Sequence, residues 1–120
     1  MVFKEILRDV VESVDGGIGA VIMGYDGIPI DEYVKDVAPF DIQLLAVEYT
    51  SVLKEVRRTI ELLNTGEMEE ISIVTGRSRV IARAINSEFF VVLVLDSDGN
   101  YGKGRYLLKR DVVKLRDELR

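Results

Sequence analysis

The sequence predicts a three-layer α/β (α+β) domain spanning residues 1–120. A five-stranded antiparallel sheet in spatial order 2-1-5-4-3 carries a long helix on one face and the N- and C-terminal helices on the other. Three observations lead there. Residues 89–95 (FFVVLVL) and 18–23 (IGAVIM) are apolar at odd and even positions alike, so each is a strand covered on both faces. Three other stretches repeat their apolar residues at helical spacing. The links between strands are short, which makes sequential strands antiparallel neighbours. Hairpins then pair the first strand with the second, the third with the fourth and the fourth with the fifth. Joining the two doubly apolar strands completes the order and leaves the third strand at an open edge.

The first helix, residues 2–14, sets Phe3, Ile6, Leu7, Val10 and Val14 against Lys4, Glu5, Arg8, Asp9 and Glu12, and Asp15-Gly16-Gly17 stops it. Residues 18–25 form the first strand, and Asp26-Gly27 suits a two-residue hairpin turn into a return strand over 28–33. Pro29 lacks a ladder donor, which puts that return strand at an edge. Pro39 and Asp41 open the long helix, which runs to Asn64-Thr65-Gly66 with Gly66 as its stop and a length of roughly 36 Å. Strands over 69–75, 79–86 and 89–96 follow. Residues 97–104 (SDGNYGKG) read as a flexible loop before a last helix from about Arg105, whose inner stripe is Leu108, Val112, Leu115 and Leu119.

On the long helix, Ile42, Leu45, Tyr49, Val52, Leu53, Val56, Ile60 and Leu63 fall within a stripe about 100° wide, expected to face the sheet. Phe40, Leu44, Val47 and Ser51 fall nearly opposite, continued by Lys54, Glu55 and Arg58 and finally Leu62. A helix with its back in water should be polar there. Either the segment 34–38 covers these first turns, or a second copy of the helix or another partner does, because an apolar centre with a charged rim is the anatomy of an interface. A homodimer would also cover the open third strand, where Ile71 and Ile73 alternate with Ser72. The expected dimer residues are therefore Phe40, Leu44, Val47, Ser51, Ile71 and Ile73, with Lys54, Glu55 and Arg58 as the surface a partner reads.

The chain has no Cys, no His and no Trp, so thiolate and imidazole chemistry, with the zinc, iron–sulfur and triad sites that need it, is excluded. With 48% hydrophobic and 31% charged residues it is rich enough in apolar side chains to bury a core. One Gln, three Asn and abundant Val, Ile, Glu and Arg give a thermophile-like composition. No apolar run reaches the ~18 residues of a membrane span and no secretory signal opens the chain, so the expectation is a cytoplasmic protein without membrane insertion. Charge is polarised along the chain. Residues 1–50 carry 3 basic and 10 acidic groups, 51–102 carry 6 and 8, and 103–120 carry 7 and 3, which sums to the net −5. That negative sum, with no basic patch interleaved with aromatics, argues against nucleic acid.

No motif supplies an active site, a metal site or a cofactor. Counting back from Gly102-Lys103 puts Ser97 where a Walker loop needs its first Gly, and Gly104 replaces the hydroxyl that would hold magnesium. Gly99, Gly102 and Gly104 are likewise misspaced for a dinucleotide fingerprint. Asp96, Asp98 and Asn100 alternate like the start of a calcium loop, but the twelfth-position Glu is missing and Lys103 intrudes. The pairs Asp31/Glu32, Glu69/Glu70 and Asp96/Asp98 fall at turns and edges, where solvated charge is expected. Arg77, Arg79 and Arg83 share a strand parity with Ile81 and Ile85. They read either as a solvated hairpin end with Arg83 in an ion pair, or as the source of an arginine finger offered to a GTPase.

The element order, the segment GAVIMGYDGIPI (19–30), the long central helix and the ending GNYGKGRYLLKRDVVKLRDEL (99–119) together resemble the Roadblock/dynein light chain family, a profilin-like α/β fold, and in particular its small bacterial and archaeal MglB-like members. The resemblance covers essentially the whole chain. It implies a homodimer whose long helices pack together while edge strands join two sheets into one, and a Ras-like small GTPase as partner. It further implies a regulator or scaffold with no nucleotide site of its own. The alternative is a structural adaptor subunit of a larger assembly. A small-molecule sensor would need a pocket between sheet and helix, at which the sequence gives no hint.

Overall fold

The computed structural model describes residues 2–120, which form α1 (Val2–Ser13), β1 (Gly17–Gly24), β2 (Pro29–Val34), α2 (Ile42–Leu63), β3 (Glu70–Val74), β4 (Ser78–Ala84), β5 (Phe89–Asp96) and α3 (Tyr101–Glu118). The five strands make one sheet in the order β2-β1-β5-β4-β3, and all four pairings are antiparallel. Every residue of β1 is buried, as is the run from Phe90 to Leu95 in β5, which is why these strands take the centre.

Alternation along these strands divides the interior into two cores. On one face, Ala20, Ile22, Ile81, Val91, Leu93 and Leu95 pack under α1 and α3, which contribute Leu7, Val10, Val11, Leu108, Val112 and Leu115. On the other, Val21, Met23, Val80, Phe90, Val92 and Val94 meet Ile42, Ala46 and Leu53 of α2. One helix thus covers a face that takes two helices on the opposite side.

Three local expectations are corrected. The β1–β2 connection is not a two-residue turn. The Gly27 amide donates to the Gly24 carbonyl and the Gly24 amide to the Ile28 carbonyl (both 2.9 Å), closing a three-residue loop. Gly27 takes φ +86° while Asp26 stays out of the left-handed region, so this is the turn-plus-bulge hairpin, in which only the last loop residue needs positive φ. The long helix ends two residues before Gly66, on Asn64 in the left-handed conformation (φ 55°), whose amide reaches back to the Ile60 and Glu61 carbonyls. Its 22 residues span about 33 Å.

The third correction concerns α3, which begins at Tyr101, four residues before the expected start. The Asn100 side chain caps it by accepting from the Lys103 amide at 3.1 Å. Gly102 and Gly104 therefore lie in the first turns of the helix rather than in a flexible loop. A Cβ on Gly104 would stand 3.2 Å from Leu93 Cδ2 and 3.3 Å from Ile81 Cδ1, so its missing side chain lets α3 settle close onto the sheet.

Candidate interaction surface

The outer face of α2 is set by how its inner face docks. Asp41 caps the helix by accepting from the Leu44 amide at 3.0 Å, and Ile42, Ala46, Thr50 and Leu53 are then buried against the sheet. Thr50 can sit there because its hydroxyl donates to the Ala46 carbonyl at 2.8 Å. Ala46 and Thr50 lie outside the expected stripe. Their burial centres the contact on them and leaves Val52 and Leu63, both expected inside, 44% and 66% exposed.

Leu44, Val47 and Leu62 project into solvent on the far side, 55%, 37% and 72% exposed, with Ser51, Lys54, Glu55 and Arg58 exposed among them. Arg58 and Glu55 form an ion pair one turn apart, the guanidinium donating to both carboxylate oxygens at 2.6 and 3.2 Å. Hydrogen bonding from Arg58 holds the Glu55 carboxyl below its ordinary range. Phe40, expected on the outer face with Leu44, instead lies just before the helix, half-buried against the α2-side core, and carries the Arg77 guanidinium 5.1 Å from its ring centre.

β3 is the last strand of the sheet, at the end away from β2. Ile71 and Ile73 are half-buried toward α2, while Val74 is 59% exposed. The strand is anchored from the opposite face. Glu70 is held by Arg83 (3.2 Å) and Arg105 (2.6 Å), and Ser72 shares a hydrogen bond with the Tyr101 hydroxyl at 2.7 Å. The β3 backbone is thereby fixed in an extended, presentable form along its open edge.

The three arginines do not converge. Arg83 is spent on Glu70 and Glu69, with its side chain only 12% exposed, and Arg79 donates to the Thr75 and Ser78 carbonyls. Arg77 sits in the β3–β4 turn above Phe40, away from the parity it was expected to share. The acidic pairs are likewise engaged locally: Asp31 meets Lys4 at 3.4 Å, and Asp96 accepts from the Asp98 amide at 3.0 Å. Among the described residues no three acidic side chains gather where a metal would need them, and no helix is long and apolar enough to cross a membrane.

No family model and no curated protein matches the chain. Solved structures do. The chain is 38% identical to MglC from Myxococcus xanthus over 98% of its own length and 99% of that chain, with a TM-score of 0.72. A Roadblock/LC7 domain from Streptomyces avermitilis superposes with a TM-score of 0.84 at 14% identity, over 97% and 96% of the two chains. Myxococcus xanthus MglB superposes with a TM-score of 0.85 at 12% identity, over 99% and 95%.

Proposed function

We propose that this chain, which belongs to the Roadblock/LC7 family, is a non-catalytic, cytoplasmic homodimeric regulator or scaffold that binds a Ras-like small GTPase. The observation that carries the dimer is the exposed apolar set on the outer face of α2, together with the open edge of β3. Fully burying a side chain such as Leu44 is worth about 1.5–3 kcal/mol, and the exposed parts of Leu44 and Val47, counted in both copies, add their share of this to the backbone pairing offered by the β3 edge. Phe40 flanks that pair, and Ile71 and Ile73 lie under the strand edge that would add to its counterpart.

The GTPase comes from the family, supported by the 38% identity to MglC along nearly the whole chain. Lys54, Glu55 and Arg58 lie further along the same helix face and supply the charged rim that steers a partner. With Arg83 engaged by Glu70, regulation works by positioning the partner's own catalytic groups rather than by inserting an arginine.

Light scattering should give about twice the 13.5 kDa chain mass, and a monomer at tens of micromolar would refute the dimer. Pull-down of a Ras-like GTPase encoded beside this chain, loaded with GDP or a GTP analogue, tests the partner. Binding in neither nucleotide state would discard the GTPase and leave a structural adaptor.

A further inference from the structure

A cleft of about 670 Å³ opens at the end of the sheet opposite the β3–β4 turn, between the last turns of α2, the α2–β3 connection and the β4–β5 turn. It lies off the outer face of α2. At its wall stands Tyr25, only 7% exposed, whose buried hydroxyl has the Arg57 side chain as its neighbour and no acceptor for its own proton. The Tyr25 ring is clamped, with Phe90 at 5.0 Å between centroids and the Arg57 guanidinium 4.0 Å above it.

Arg57 and Arg116 both line this cleft, and each donates to a carbonyl of the β4–β5 turn, Arg57 to Ser87 at 2.9 Å and Arg116 to Ile85 at 2.7 Å. Among the described residues neither guanidinium pairs with a carboxylate. Each therefore keeps unspent donors in the cleft that Tyr25 also lines. Arg83 also reaches the cleft but is consumed by Glu69 and Glu70. Ile60, Met68 and Ala84 supply apolar wall, and exposed Glu61, Glu67 and Glu69 stand around it.

We propose that this cleft binds an organic monocarboxylate on an apolar stem, its carboxylate taken by the Tyr25 hydroxyl, Arg57 and Arg116 and its stem by Ile60, Met68 and Ala84. The volume falls within the ordinary range of small-ligand sites. A carboxylate offers acceptor oxygens to donors of this kind, and the surrounding glutamates weigh against a doubly charged phosphate more than against a single carboxylate. Such a carboxylate has two sources, a free acid or the C-terminus of a protein chain.

Titration of the isotope-labelled full chain with hexanoate, read by NMR at the Tyr25 ring, the Arg57 and Arg116 side chains and the Ser87 amide, tests it. 1-Hexanol and inorganic phosphate serve as controls. Saturable shifts with hexanoate alone are expected, weakened about tenfold in Arg57→Gln and in Arg116→Gln. Tyr25→Phe keeps the stacked ring, so it should fold and bind several-fold more weakly. A leucine-ended peptide that binds more tightly than hexanoate, and loses binding when amidated, identifies a chain terminus as the source; hexanoate binding without peptide binding identifies a free acid. Absence of saturable shifts, equal shifts with hexanol, tighter binding of phosphate, or binding unchanged in both arginine variants would overturn the proposal.

Discussion

Leu44 and Glu48 are one turn apart on α2 and both exposed, yet opposite outcomes are expected when their charge is changed. Leu44→Glu or Val47→Glu would bury an unpaired carboxylate in the proposed helix pair, at a cost of several kcal/mol by order of magnitude, and should shift the mass seen by light scattering to the monomer. Glu48→Lys should leave it unchanged. The arginines separate in the same way. Arg83→Ala strands the largely buried Glu70 on Arg105 alone and should cost about 1–2 kcal/mol in denaturant unfolding. Replacing Arg58, Arg77 or Arg79 should leave the fold within about 0.5 kcal/mol. None of these three replacements should cut GTPase stimulation by the roughly 10³-fold that loss of an arginine finger produces; one that does would show an arginine acting in trans.

Among the elements, β1 and β5 were legible because apolarity at both parities leaves a strand no place but the centre, and the short links then dictated the sheet order. The start of α3 was not legible in the same way, since two glycines in one turn are poor helix formers, although Asn100 three residues ahead of Lys103 was a capping signal already present. The rotation of α2 differs from the expected stripe for a related reason. Ala46 and Thr50 are weakly apolar or polar, but their small volume allows close approach to the sheet, which counting large apolar residues does not register. The surface on the back of α2 was visible in sequence. The Tyr25 cleft was not, because Tyr25, Arg57 and Arg116 come from three separate elements that only the fold assembles. Gly104 tests the account of α3: Gly104→Ala gains about 1 kcal/mol of helix propensity against mild crowding of Leu93 and Ile81, and should stay within about 1 kcal/mol of the parent. Gly104→Val overfills the same contact and should lose more than about 2 kcal/mol in chemical denaturation.

For the whole molecule, Gly102, Lys103 and Gly104 lie in the first turn of α3, and the residues ahead of them do not have the spacing of a Walker loop. Calorimetric titration with GTP or ATP plus magnesium should therefore show no heat of binding, and a micromolar affinity lost in Lys103→Ala would overturn that reading. The open β3 edge has a wider consequence. Backbone amides and carbonyls are the same in every chain, so a strand joining β3 is accepted on geometry, with little regard to its sequence. In the proposed dimer, recognition of self against a sister chain of the same fold therefore falls to the few side chains on the back of α2. Exchanging Leu44, Val47 and Ser51 between two such proteins would re-sort who pairs with whom while the shared strand geometry stays untouched.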